Sequence, residues 1–158
     1  MAPVVIADAG PLIALAGIDK LDLLKSLFGR VLAPDAVLDE YLTGSGEDVL
    51  RIGQAIDAGW LVGRAVNAEP LSPSLGPGES AAIRLGLEQP QDSLLIADDR
   101  LARRHALRHG LSIVGLVRLL VVAEEKGLLV NAGDGIDAMA DNGYRVSRDL
   151  LGQVRKDP

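Results

Sequence analysis

Residues 94–100 read LLIADDR: an apolar run stops at two adjacent carboxylates, and arginines follow at once. A short continuous apolar run bounded by charge is the pattern of a strand buried on both faces, as in a parallel sheet. Two neighbouring acids repel one another, so Asp98 and Asp99 either open a helix in solvent or share a cation. What stands beside them decides which.

The same grammar recurs in both directions from this stretch. Residues 3–7 predict a buried strand that ends at Asp8, and Gly10-Pro11 follows, proline being suited to a first helical turn because its missing N–H has no partner there. A second strand is predicted at 30–33, with Pro34 opening a helix to about residue 43 and Gly44-Ser45-Gly46 breaking it. Residues 47–58 are expected to be helical and 60–62 extended; 68–78, with its prolines and glycines, predicts a loop, and 79–88 a helix. After the strand at 94–97 come a helix to about His109, a strand at 112–114 and a helix over 116–126.

Strands alternating with helices imply an α/β three-layer sandwich, a parallel sheet of four to five strands with helices on both faces. From residue 131 the strand signal stops. Residues 135–141, a turn at Asn142-Gly143 and a helix capped by Ser147 predict a C-terminal helical hairpin. The chain of 158 residues thus reads as a single domain, an α/β core over 1–130 with a helical extension over 131–158.

Composition removes whole classes of function. With 16 basic against 22 acidic residues and a net charge of -6, the chain is no blanket-basic binder of nucleic acid, although a local basic patch is compatible with it. The absence of cysteine excludes disulfides, thiolate zinc sites and cysteine nucleophiles. Aromatic residues make up 3%, too few to expect a stacking platform for bases. The first ten residues carry no basic segment before Asp8, and the apolar stretch 115–129 is broken by Arg118, Glu124 and Glu125, so a cytoplasmic protein without membrane contact is expected.

In an open parallel sheet, ligands bind beyond the carboxyl ends of the strands. The acids fall there: Asp8 ends the first strand, Asp98 and Asp99 the strand at 94–97, while Glu79 opens the helix behind Gly76-Pro77-Gly78 and Glu40 lies in the helix after the second strand. Convergence of these segments would suit a magnesium or manganese ion, since hard divalent cations prefer carboxylate oxygens. Such ions orient a phosphodiester, acidify a water and invert the sign of an acidic pocket, with no histidine required.

The pieces VVIADAGPLIAL, VLAPDAVLDEYL, GPGESAAIRLGL and LLIADDRLARRHALRHGLSIVGLVRLL, in that order and spacing over most of residues 4–120, resemble a PIN-domain protein of the bacterial branch related to the VapC toxins. The tail GYRVSRDLLGQV is similar to the end of that branch. The resemblance implies a metal-dependent ribonuclease, often the toxin of a toxin–antitoxin pair, with three or four acids around Mg2+ or Mn2+. Carried over residue by residue, it puts metal ligation on Asp8, Glu40, Glu79 and Asp98, with Asp99 as a catalytic neighbour; it also implies an RNA substrate, an antitoxin partner and a homodimer. Two departures bear on activity: Gly10 stands where serine or threonine is common, and Ala81 where many members carry a second glutamate.

Each of these residues also has a plain structural reading. Asp8 before Gly10-Pro11 is ordinary turn and cap chemistry, and Asp98, Asp99 and Glu79 suit the positive end of a helix dipole. Periodicity does not choose Glu40 over Asp39, because both flank a stripe of Val37, Leu38, Tyr41 and Leu42 expected to be buried; only the resemblance selects Glu40. Arg100, Arg104 and Arg108 share one helix side at four-residue spacing and are RNA-binding candidates, with Arg103 at another angle, although basic helix faces are commonly just solvated. His105 and His109 have the spacing of a metal pair but no third ligand of their kind, and read as surface residues.

The same residues bear on other functions. An aspartyl-phosphate enzyme would place its nucleophile at Asp8 but needs a second aspartate where Gly10 stands, and no G-x-G-x-x-G follows the first strand for a dinucleotide. A catalytically silent PIN-like module that binds a partner protein is the alternative from another class. The apolar stretch 116–123 and the polar helical tail are the candidate faces for a homodimer or an antitoxin.

Overall fold

The structure is a computed structural model that describes residues 3–67 and 69–144. The helix expected behind Ser147 lies outside the described residues. Five strands, β1 (Val4–Ala7), β2 (Val31–Pro34), β3 (Leu61–Arg64), β4 (Ser93–Ile96) and β5 (Ser112–Val114), form one parallel sheet in the order β3-β2-β1-β4-β5. The α/β architecture with a five-stranded parallel sheet is the one expected. Strand edges differ from expectation by a residue or two, most at β3, where Trp60 precedes the strand and packs into the core.

Alternate residues of each strand feed two separate cores. Val5, Ala7, Val31, Ala33, Leu61 and Ile96 point to one face, and Ile6, Leu32, Leu95 and Ala97 to the other, the period-2 consequence of the pleat. The first face is covered by α1 (Ala9–Gly17), α2 (Asp22–Phe28), α4 (Glu47–Asp57), α7 (Leu116–Glu125) and α8 (Ala132–Asp141), the second by α5 (Pro77–Glu88) and α6 (Arg100–Arg108). Helix α3 (Asp35–Leu42) leans on β2 and β3. Helix α2 has no counterpart among the elements expected from sequence; Leu23 and Leu24 sink into the core while Gly29, at φ +77, ends the helix in a left-handed conformation open to glycine.

Helix α1 is apolar nearly all round, and it has to be: the sheet lies on one side and α4 and α8 on others. Arg51 of α4 fastens the end of α1 by donating from Nη1 to the Ala16 carbonyl at 2.7 Å and pairing with Asp19 at 3.2 Å. Two expectations fail on burial. The stretch 116–123 is mostly core and not a free apolar face: Leu116, Val117, Leu119, Leu120 and Ala123 are buried under the sheet and against α8, which leaves Val121 and Val122 half-buried and Arg118 exposed. In α3 only Leu38 of the expected stripe is buried; Val37 and Tyr41 instead line a cleft, and Leu42 is exposed. No helix among the described residues is long and apolar enough to cross a membrane.

The strand order creates the site. From β1 the chain moves to β2 and β3 on one side and to β4 and β5 on the other, so the connections leaving β1 and β4 diverge and open a crevice at their carboxyl ends. The paired register aligns those ends, Ala7 opposite Ile96 and Ile96 opposite Val114.

Candidate metal centre

Asp8 is the first residue beyond β1, and its N–H still extends the ladder, donating to the Ile96 carbonyl at 3.0 Å. That bond holds the Asp8 backbone beside Ala97, one residue short of Asp98. The two acids that the fold had to bring to one end of the sheet are therefore neighbours across β1 and β4. A cleft of about 1350 Å³ lies above them, and Asp8, Glu40, Glu79, Asp98 and Asp99, all five predicted acids, line it together with Asp35, Asp39, Asp48 and Arg100.

The acids are not equivalent. Asp8 is buried, 8% exposed, whereas Glu79 and Asp98 are half-buried and Glu40 and Asp99 exposed. Burial pushes the Asp8 carboxyl up to about 6, the N–H of Ala9 donating at 2.8 Å opposes this, and the negative charges of Glu79, Asp99 and Asp98 push it further. These three thus act electrostatically on Asp8, while Glu40 lines the cleft from the α3 wall. Asp39 lines the same wall, so the structure does not choose between it and Glu40.

Local tethers show how far the plain structural readings hold. Asp8 is the N-cap of α1, and Asp99 the N-cap of α6, accepting from Ala102 N–H at 2.9 Å. Glu79, in the first turn of α5, folds back over Gly76, where a side chain would strike its carboxylate. Asp98 behaves differently, since it caps nothing of its own. Its Oδ1 accepts at 3.0 Å from the N–H of Leu116, an orphan donor at the start of α7, and its Oδ2 accepts from the hydroxyl of Tyr144.

Among the described residues, no three of these acids are drawn together tightly enough to form a ready ligand set. Like charges in a part-buried cleft repel, and Asp8, Asp98 and Asp99 each accept from a nearby donor instead. The donor chemistry nevertheless fits a hard divalent cation: every candidate ligand is an oxygen, and no histidine or cysteine lines the cleft. His105 is half-buried on α6 and His109 exposed at its end, as expected of surface residues.

The arginines divide. Arg100 lines the cleft, whereas Arg104 and Arg108 continue along the exposed face of α6, spaced about 6 Å apart along its axis. Among the described residues none of the three forms an ion pair; the pairs present are those of Arg51.

Sequence reasoning missed Tyr144 and Gly115. Tyr144 reaches the cleft from the end of α8 and lays its ring over Gly10, where an added Cβ would meet the ring at an ordinary 3.7 Å. Burial, then the bond to Asp98 and the charges of Asp98 and Asp8, push the Tyr144 hydroxyl far above the usual phenol range, so it stays a donor. Gly115 was readable in principle, as a glycine between a strand and a helix marks close backbone approach: a Cβ there would lie 2.6 Å from Asp98 Oδ1. No local signal points to Tyr144.

Comparison with known proteins bears on the fold and the family. Residues 4–157 match the profile of a family described as PIN domain (DUF3368). A PilT N-terminus domain protein from the hyperthermophilic archaeon Sulfolobus solfataricus P2 superposes with a TM-score of 0.51 at 20% identity, covering 76% of this chain and 92% of that one. At that identity the likeness speaks to the fold. No curated protein matches the chain in sequence.

Proposed function

The chain belongs to the PIN-domain family, whose members are typically nucleases, and on that premise we propose that it is a magnesium- or manganese-dependent endoribonuclease of the VapC-related branch. One observation carries the reading: a buried aspartate at the sheet's switch point, with three further carboxylates acting on it, in a cleft that opens beside an exposed arginine face. A protein that only needed helix caps would have no reason to bury Asp8 among like charges.

Asp8 and Asp98 would hold the cation from the floor of the cleft, with Glu79 and Glu40 reaching in from the walls. When bound, it supplies positive charge against the phosphate and makes a water more acidic. The chain's own residues do the rest. Arg100 meets the polymer at the cleft, and Arg104 and Arg108 hold flanking phosphates along α6, contacts that position the strand without reading its sequence. Ala81, which lines the cleft, leaves room where a further carboxylate would add charge.

We read residues 1–158 as one domain in the cytoplasm, and the similarity of the four sequence pieces supports a toxin role with an antitoxin and a homodimer as partners. The test is cleavage of end-labelled single-stranded RNA in manganese. Asp8→Asn and Asp98→Asn should each abolish the cut while circular dichroism stays that of the parent; cleavage that persists in EDTA defeats the reading.

One finding favours a second reading, a silent partner-binding module: no ligand set is preassembled among the described residues. Manganese separates the two. A metal held only by the folded chain must raise its melting temperature, and a module without the site shows no rise.

A further inference from the structure

We propose that Tyr144 is a positioning residue for the cation site: with the Leu116 N–H and the bare backbone of Gly115, its hydroxyl fixes the Asp98 carboxylate in the orientation from which it binds metal. The inference rests on the metal reading above. It assigns to the far end of the chain a part in a site otherwise built at the mouth of the sheet.

Three observations meet at Asp98. Each carboxylate oxygen has a donor that is not local: Leu116, 18 residues away, on Oδ1, and Tyr144, 46 residues away, on Oδ2. Gly115 leaves the space that the Oδ1 side requires, since a Cβ would stand 2.6 Å from that oxygen and 3.6 Å from Arg103 Nη1. Tyr144 is itself held in place, its N–H donating to the Met139 carbonyl at 2.9 Å and its ring resting over Gly10. Just before it, Asn142 ties the end of α8 to α1 by donating to the Gly17 carbonyl at 3.1 Å.

A carboxylate oxygen has two lone pairs, so one hydrogen bond on each still leaves a lone pair for a cation. Donors on the outer lone pairs hold a ligating carboxylate to one rotamer, and losing such a partner typically weakens metal binding roughly 10–100-fold. Among the described residues, neighbouring Asp99 has no comparable support. It is turned back onto its own helix at Ala102, which separates the two adjacent acids into a held ligand and a cap.

Manganese titrated into the full chain in metal-free buffer, read by melting temperature and by calorimetric heat, tests this without any RNA. Tyr144→Phe keeps the ring and removes the hydroxyl; the manganese dissociation constant should rise roughly tenfold while the metal-free melting temperature stays near the parent's. Gly115→Ala approaches from the other side, pushing Asp98 Oδ1 away, and should weaken manganese at least as much. Unchanged or tighter binding in Tyr144→Phe overturns the inference and leaves the metal reading standing, tighter binding meaning that the hydroxyl competes with the ion. A lower metal-free melting temperature with an unchanged dissociation constant assigns Tyr144 to packing alone and also overturns it. A parent chain that binds no manganese takes down both the metal reading and the inference.

Discussion

Removing the Asp8 charge should stabilise the metal-free protein. The Asp8 carboxyl sits at about 6 in the folded chain and near 3.8 when exposed, burial being the larger cause and the charges of Glu79, Asp99 and Asp98 the next that raise it. A carboxyl raised in this way favours the folded state when protonated, so its contribution is fully present below pH 3.8 and is lost as pH rises through about 6. At 1.36 kcal/mol for each pH unit between the two values, the charged Asp8 destabilises the fold at neutral pH by about 3 kcal/mol. Asparagine has the same shape and can still accept from the Ala9 N–H, so Asp8→Asn removes the charge and keeps the cap. For a chain of this size that corresponds to a rise in melting temperature on the order of 6–12 °C. Melts of both chains in EDTA from pH 4 to 8 should show the gap opening as pH climbs through about 6 and closing toward pH 4. Manganese should then invert the order, stabilising the parent and not the variant. An Asp8→Asn chain that melts at or below the parent at pH 8, or a gap that ignores pH, would refute the reasoning.

Two further outcomes follow from the packing and the basic face. The triple variant Arg100→Ala, Arg104→Ala, Arg108→Ala should raise KM for RNA about tenfold, keep kcat, and flatten the salt dependence by about one logarithmic unit for each phosphate no longer neutralised; a fall in kcat at constant KM would mean these arginines do not position substrate. Leu120→Ala, at a fully buried position of α7, should cost about 2–5 kcal/mol in urea melts. If it left stability unchanged and altered association, the stretch 116–123 would be a partner surface after all.

The strands were legible because each is short, apolar and ended by a turn or an acid, and the acids were legible because a parallel sheet presents its carboxyl ends together. Helix α2 escaped because seven residues carry too little periodic signal. The arginines were visible as a helical stripe, but which of them meets the cleft was not. Burial divides the α3 stripe that periodicity expected to be buried as a whole, Leu38 in the core, Val37 and Tyr41 lining the cleft and Leu42 exposed, while the α7 run, offered as a candidate partner face, is largely core. In both cases the apolar residues were located correctly, and the neighbours that cover them were not.

What the residues by themselves determined is the alternation of strand and helix, the carboxyl-end placement of Asp8 and Asp98, and an all-oxygen donor set suited to a hard cation. Those features depend on side chains a few positions apart, and local spacing encodes them directly. Only the tertiary structure decided that Asp8 is the buried and charge-strained acid, that Asp99 is a helix cap, and that Asp98 is held by Leu116, Gly115 and Tyr144. Desolvation and hydrogen bonding depend on what packs around a group. Here the deciding neighbours of Asp98 stand 18 and 46 residues away, where no local pattern reaches them.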